Sequence, residues 1–484
     1  MESARLSMLC VTGSEANAEA LHRRLVAVER RLHGTEFLQE VRLDHLPDPE
    51  PVVAGLRAYA RRLVVTCRPS RQGGGYTGSE EARLALLHDA ASIGPRYVDL
   101  EADCPHQAAG SLREAGSGGI VVSWHLWEND PERVKRAVER LAAHEADTRK
   151  LAVVVDDAAD LHPLRQLSDL TPGLFVIGMG APGALSRCRY PAFGARWTYV
   201  AADPADATAP GQLSLDEALA MGLPAAASLP FVCLLGGPQI AHSPGPRCYN
   251  RLFRQKGAPW SYVPVVSTRG LDALSLARDL GAFGASVTMP NKAAALAFAN
   301  PDPVARRVGA ANSVRFGSPS VSTNTDVTGI AEPLSRALGR TGRKAPRVLV
   351  LGAGGAARAA VEACRQLGLE ARVSARRHEA AVALVGRACA VPWSARGEDR
   401  SEVLINATAV GGARSPWPGD MEIGKAIVFD LTLGPGPSSL LARAAREGAE
   451  TLDGLEMWIE QGAEQTRFLT GLEVSVDELR EALG

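Results

Sequence analysis

The sequence predicts an α/β chain: an N-terminal (β/α)8 TIM-type barrel, followed by a second αβ region that ends in a Rossmann nucleotide-binding unit. Three observations predict it. Between residues 1 and 205, eight short β-branched runs alternate with helix-like stretches. At 484 residues the chain is too long for a single hydrophobic core,. A compact apolar run, Arg347–Leu351, leads directly into Gly352-Ala353-Gly354-Gly355 and a helix-like stretch to Gly368, the strand–glycine turn–helix order of a dinucleotide site.

The eight runs are Leu6–Thr12, Phe37–Leu43, Leu63–Cys67, Tyr97–Glu101, Ile120–Ser123, Lys150–Val155, Phe175–Met179 and Trp197–Ala201. Asp130–Ala146, between two of them, places apolar residues at helical spacing with charges opposite,. Eight strand–helix alternations in this length satisfy a (β/α)8 barrel; a doubly wound open sheet is the alternative. The Ala-rich stretch Ala218–Leu229, ending at Pro230, reads as a short link before a new strand at Phe231–Leu235. The expected domains are 1–225 (the barrel), 230–330 (a substrate-binding lobe), 331–452 (the nucleotide-binding lobe) and 453–484 (C-terminal helices closing onto the substrate lobe).

Composition excludes several function classes. The 53 Lys and Arg residues nearly balance 54 Asp and Glu, for a formal charge of −1. No basic block points to nucleic acid. No apolar run approaches a membrane span, and the N-terminus lacks the apolar stretch of a signal peptide,. The eight cysteines are scattered without a CxxC pair, against structural zinc and in favour of free thiols in a reducing cytoplasm. We expect no metal, small-molecule substrates and a cytoplasmic location.

Catalysis in such a barrel belongs at the carboxyl ends of its strands. Those positions hold Glu40, Arg42, Arg68, Glu101, His125 and Lys150, with Arg187 in the loop after the seventh strand. A lysine in the apolar run Lys150-Leu151-Ala152-Val153-Val154 suits Schiff-base chemistry, because burial disfavours the ammonium; snorkelling to water is the alternative. Together these residues resemble the type I 3-dehydroquinate dehydratases. The motifs are Glu40-x-Arg42-x-Asp44, Thr66-x-Arg68 followed by Gly73-Gly74-Gly75, Asp99-x-Glu101, Ser123-x-His125, Lys150, Met179-Gly180 with Ser186-Arg187, and Ala209-Pro210-Gly211-Gln212. Thr208 stands where that family commonly has serine. The resemblance implies that Lys150 forms an imine with the C3 ketone of 3-dehydroquinate and that His125 moves the C2 proton. Glu101 would hold the histidine tautomer, and Arg187 and Gln212 the carboxylate. His45, His106, His144 and His162 match no motif and are expected in surface or loop roles.

In the second half, Ala371–Ser374 reads as the next strand and ends in Ala375-Arg376-Arg377. Paired arginines there suit a 2′-phosphate, where an acidic residue would suit a ribose hydroxyl. Around this unit lie Val287-Thr288-x-Pro290-x-Lys292, Gly309-Ala310-Ala311-Asn312, Asn324-Thr325-Asp326, Asn406-Ala407-Thr408 and Gly454-x-x-Met457 with Gln461 and Gln465. Their order resembles the shikimate dehydrogenase family. The resemblance implies a two-lobed αβ dehydrogenase that uses NADP, with Lys292 and Asp326 as the catalytic pair. Ser243, Thr288, Asn312, Gln461 and Gln465 would contact substrate; Gly352, Gly354, Gly355, Ala356, Arg376, Arg377, Asn406 and Thr408 would hold the cofactor.

Three positions depart from that family: Gly245 stands for a serine, Tyr249 for a histidine and Leu433 for a tyrosine. Together the two halves imply a bifunctional enzyme that dehydrates 3-dehydroquinate to 3-dehydroshikimate and reduces that to shikimate. The alternatives are a quinate dehydrogenase activity in the second half, favoured by the space at Gly245, and a non-catalytic ligand-sensing regulator.

Overall fold

Strands alternate side chains between two faces, so each barrel strand here buries one apolar face against helices and turns the other inward. The computed structural model of the chain describes residues 8–484, apart from Pro435 and the side chain of His242. It contains two compact units, Met1–Gly281 and Ala282–Gly484.

In the first unit, eight strands form one parallel sheet in the order β7-β6-β5-β4-β3-β2-β1-β8. They are β1 (Met8–Thr12), β2 (Phe37–Arg42), β3 (Leu63–Thr66), β4 (Tyr97–Glu101), β5 (Ile120–Leu126), β6 (Thr148–Val154), β7 (Leu174–Met179) and β8 (Trp197–Ala201). Sequential order with β8 added beside β1 is the order of a curling barrel, not of a doubly wound sheet. The sheet ends meet through side chains, with Phe175 of β7 edge-on to Trp197 of β8 at 5.6 Å. Leu6 and Ser7, expected in the first strand, lie outside the described residues. Between β5 and β6 the helix Pro131–Ala142 starts on Asp130, whose side chain accepts from the Arg133 N–H, and buries Val134, Ala137 and Leu141,.

Inward-pointing residues fall into layers. Tyr97, Phe175 and Trp197 form an aromatic floor, with Tyr97 and Trp197 centred 5.2 Å apart. Above it, two residues further along each strand, come Cys10, Glu40, Asp99, Ser123, Lys150 and Tyr199. Two further on again are Arg42, Glu101, His125 and Met179. Register fixes this stacking: Ser123 lies opposite Lys150, His125 opposite Ala152, and Cys10 opposite Tyr199,.

The first unit continues through β9 (Phe231–Gly236) and β10 (Ser261–Val266), paired in parallel around the helix Gly245–Gln255. Arg189 donates to the carbonyls of Ala226 and Leu229 and lies 4.1 Å over the Phe231 ring, holding the connecting segment. Asp157, in the turn after β6, accepts from Ser267 Oγ at 2.5 Å and the Thr268 N–H at 2.9 Å.

The second unit opens with β11 (Gly284–Val287), β12 (Asn300–Pro301), β13 (Ser313–Arg315) and β14 (Val321–Thr323). The strand β13 runs antiparallel to β11 and β14, and β12 is parallel to β14. After the helix Asp326–Thr341 comes a parallel sheet in the order β17-β16-β15-β18-β19-β20. Its strands are β15 (Val348–Leu351), β16 (Ala371–Ala375), β17 (Ala390–Pro392), β18 (Val403–Asn406), β19 (Ile427–Asp430) and β20 (Glu450–Leu452). Counted from β15 this is 3-2-1-4-5-6, the dinucleotide-binding order. The helix Gly454–Thr470 crosses Asp326–Thr341 so closely at Gly329 that a Cβ there would lie 2.7 Å from the Met457 carbonyl oxygen. Among the described residues, no helix is long and apolar enough to cross a membrane.

Candidate active sites

The barrel opens into a pocket lined by Glu40, Arg42, Arg68, His125, Lys150, Arg187 and Gln212, together with Gln72, Trp127, Met179, Tyr199 and Thr208. Lys150 is the third residue of β6 and only 3% exposed, so it does not snorkel. Its Nζ donates to Asp99 Oδ2 at 2.5 Å and sits 4.7 Å from the centre of the Tyr199 ring. Asp99 also accepts from Ser123 Oγ at 2.5 Å and Arg68 Nη2 at 3.1 Å. Burial alone would raise the pKa of Asp99, but Arg68 and Lys150 outweigh it and hold the carboxyl well below the usual range,. The lysine therefore faces a permanent carboxylate.

His125, half-buried at the end of β5, has its imidazole pKa pushed well below the ordinary value by burial and by the nearby cations Arg68 and Lys150. At neutral pH it is an uncharged base. Its backbone N–H donates to Gln72 Oε1 at 2.8 Å, and among the described residues its Nδ1 has no partner. Glu101 does not meet it: that carboxylate takes Arg68 Nη1 at 2.8 Å and Arg83 Nη1 at 2.5 Å. Glu101 and Asp99 share the inward face of β4, and it is Asp99, one layer deeper, that reaches the lysine.

Glu40 accepts from the hydroxyls of Thr12 at 2.8 Å and Thr66 at 2.9 Å. Arg42 grips Asp44 through two hydrogen bonds of 2.9 and 2.6 Å. The Asp44 carboxylate also accepts the N–H groups of Arg68 and Gly75, fixing the glycine loop. Arg187 differs from the other arginines of the pocket. It is 3% exposed, no carboxylate pairs with it among the described residues, and burial lowers its pKa to about 10. A buried cation without a counter-ion at a pocket wall suits an incoming anion. Gln212 Oε1 accepts from the Thr208 N–H and hydroxyl, so the threonine hydroxyl is engaged within this loop.

The second constellation lies in the second unit. Lys292 Nζ donates to Asp326 Oδ2, and Asn312 Nδ2 donates to Asp326 Oδ1 at 2.8 Å. The Asn312 amide also contacts Thr325 Oγ1 at 3.0 Å and Gln461 Oε1 at 3.3 Å, so in this structure it orients the pair. Gln465 is spent internally, on Ser286 Oγ, Ser313 Oγ and the Asn312 carbonyl. Thr288 is half-buried. In the first unit, Ser243 Oγ accepts from the Gly245 N–H at 3.2 Å. Tyr249 packs against Tyr262 at 4.6 Å, filling core space, and Leu433 is 59% exposed.

The glycine turn fits a dinucleotide. Gly352 has φ +113°, and a Cβ on it would meet the Ala407 carbonyl oxygen at 2.8 Å. Gly354 caps the helix Gly355–Gln366 without a side-chain hydrogen bond, which leaves the Gly355 and Ala356 N–H groups at the helix start for phosphate,. Arg376 and Arg377, at the end of β16, are exposed and pair with no carboxylate among the described residues. Asn406 is fully buried, bonded to Asp430 and Val410 and accepting from Thr408; these two residues shape the loop facing the turn. A Cβ on Gly355 would lie 3.8 Å from Lys292 Cδ, so the lysine–aspartate pair adjoins the glycine turn.

Sequence reasoning missed roles for Asp99, Gln72 and Tyr199. Asp99 is inside a motif, and its i−2 spacing from Glu101 was the available signal. Tyr199 and Gln72 carried none, since both depend on packing between distant strands and loops. His144, expected in a surface or loop role, lies in the loop before β6 but is buried, with Nε2 2.9 Å from the Ala102 carbonyl and its ring stacked on His106.

A family model for type I 3-dehydroquinase matches residues 16–221, and one for the shikimate dehydrogenase substrate-binding domain matches residues 235–314. A chloroplastic bifunctional 3-dehydroquinate dehydratase/shikimate dehydrogenase of Arabidopsis thaliana is 26% identical over 96% of this chain and 82% of its own. A shikimate dehydrogenase (NADP(+)) of Maridesulfovibrio salexigens is 31% identical over 52% of this chain and 94% of its own. A 3-dehydroquinate dehydratase of Desulfotalea psychrophila is 35% identical over 39% of this chain and 86% of its own.

Proposed function

Because the chain belongs to the type I 3-dehydroquinase family in its first half and to the shikimate dehydrogenase family in its second, we infer that it is a bifunctional enzyme. It dehydrates 3-dehydroquinate to 3-dehydroshikimate and reduces that product to shikimate with NADPH. Neither alternative, quinate dehydrogenase or ligand sensor, is favoured by the relatives.

The observation that carries the first activity is Lys150, buried against Asp99 in a pocket that also holds neutral His125. In our reading Lys150 forms an imine with the C3 ketone, which makes the C2 proton acidic. His125 takes that proton and returns it to the departing C1 hydroxyl. Arg187, with Gln212, receives the substrate carboxylate, while Glu40, Arg42 and Arg68 shape the ring site. Asp99 takes the place first expected of Glu101 as the carboxylate that acts on the catalytic pair; Glu101 supports it from behind through Arg68.

For the second activity, Lys292 donates a proton to the ketone oxygen, and Asp326, steadied by Asn312, keeps the ammonium charged and aimed,. Gly352, Gly354, Gly355, Ala356, Arg376 and Arg377 would hold NADPH, which would supply the hydride. Thr288 and Gln461 remain proposed contacts for ring hydroxyls; Gln465 acts by fixing Asn312. We place the dehydratase in residues 1–225, the substrate lobe in 230–330, the NADP lobe in 331–452 and the closing helices in 453–484. All eight cysteines are unpaired, which supports a reducing compartment such as the cytoplasm,.

The test is reduction with borohydride in the presence of 3-dehydroquinate, followed by peptide mass mapping. We expect a stable adduct on Lys150; an adduct elsewhere, or none, refutes the assignment.

A further inference from the structure

Tyr199 has no role in the mechanism above, yet it touches the reacting nitrogen. It stands on β8, 6% exposed, on the pocket wall, with its ring centre 4.7 Å from Lys150 Nζ. Among the described residues its buried hydroxyl makes no well-formed hydrogen bond, and the side chain that bears on it is Trp197. Packing sets where the ring sits: Trp197, two residues earlier on the same strand, meets it edge-on at 6.4 Å, above the aromatic floor. A cation over an aromatic face is attracted by the ring quadrupole, most strongly where water is excluded.

Resting on the dehydratase reading, we propose that the ring face of Tyr199 keeps the Lys150 nitrogen cationic throughout the imine stage. The neutral amine adds to the ketone carbon, forming the C–N bond, and the ketone oxygen takes a proton. A second proton lets that oxygen leave as water while the C=N bond forms. Overall, ammonium and ketone become iminium and water, with the charge on the same nitrogen before and after. Three N–H groups have become one, so Asp99 can satisfy the only N–H that remains. The ring needs no N–H to act, and its attraction survives the change of bonding. Loss of the last N–H proton would leave a neutral imine, a far poorer sink for electrons released at C2.

Other groups around the nitrogen pull in both directions. Cys10 on β1, Glu40 on β2, Arg68 beyond β3, Asp99 on β4, His125 on β5 and Arg187 beyond β7 all face this cavity or its floor. Arg68, Arg187 and any protonated form of His125 oppose a cation there, and Asp99 and Glu40 favour it. The uncharged ring biases the balance toward the iminium without competing for Asp99.

The test uses the full chain with Tyr199→Phe as the starting point and progressively fluorinated phenylalanines at the same position. These keep shape and folding while draining the ring face of negative charge. The readout is the basic limb of the kcat–pH profile for 3-dehydroquinate, which reports groups in the bound complex. We expect it to move to lower pH stepwise with fluorination, by about half to one and a half pH units in all. A limb that stays in place across the series overturns the inference. Borohydride trapping at Lys150 in the unmodified protein separates the two claims. With trapping and an unmoved limb only the role of Tyr199 falls, whereas without trapping the dehydratase reading falls and takes this one with it.

Discussion

Lys150 and Arg187 are both almost wholly buried, but among the described residues Lys150 has a carboxylate and Arg187 has none. Replacing Arg187 with leucine therefore has opposite effects on stability and activity. It removes an uncompensated buried charge, so Tm should rise, by about 2–4 °C for each kcal/mol of desolvation relieved. The dehydratase kcat/KM should drop about 10- to 100-fold, the worth of a charged hydrogen bond to a carboxylate. A calorimetric scan beside the dehydratase assay checks both; a fall in Tm would mean that Arg187 is structurally paired. For His125, replacement by alanine should lower dehydratase kcat about 10²- to 10⁴-fold. Because its folded pKa lies below the unfolded value near 6.5, the unfolded chain binds a proton that the folded chain does not,. Stability is thus lost as pH falls below about 6.5 toward the folded value, and His125→Gln should flatten that acid slope of Tm. At this scale the sequence revealed which residues are reactive but not which pair with which. Lys150 stands out in its apolar strand, yet the choice between Asp99 and Glu101 as its neighbour depends on barrel layering. Gln465 carries a motif, but the hydroxyls that occupy its amide come from β11 and β13.

At the level of elements, the glycine turn after β15 and the arginines after β16 make separate contributions to the second activity. Gly352→Ala would put a Cβ 2.8 Å from the Ala407 carbonyl and force an L side chain into φ +113°,. Its KM for NADPH should rise, while dehydratase activity in the same preparation stays the same. Replacing Arg376 and Arg377 together with alanine should raise KM for NADPH by about 10-fold or more, with little change for NADH, through loss of charged contacts to the 2′-phosphate. Steady-state kinetics with both nucleotides decides this, and an equal loss for both would place the arginines elsewhere. These elements were legible in sequence because their chemistry is local: strand, turn, helix and the next strand end follow one another within thirty residues. The barrel strands were legible for the same reason, through short apolar, β-branched runs. Strand ends were less so. The fifth strand runs on to Leu126 rather than stopping at Ser123, since His125 and Leu126 continue the ladder with β6 although the apolar run has ended.

Across the whole molecule, one chain carries two activities that share no residue. Lys150→Ala should abolish dehydration and leave shikimate oxidation by NADP intact, and Lys292→Ala should do the reverse. An equimolar mixture of the two variants should still convert 3-dehydroquinate to shikimate, with a lag while free 3-dehydroshikimate builds up. The most direct experiment gives the unmodified protein 3-dehydroquinate and NADPH and follows nucleotide absorbance and product identity together. NADPH should be consumed with shikimate as the product, dependent on both Lys150 and Lys292. Consumption of NADPH with quinate as the product, or no turnover at either site, would contradict the bifunctional assignment.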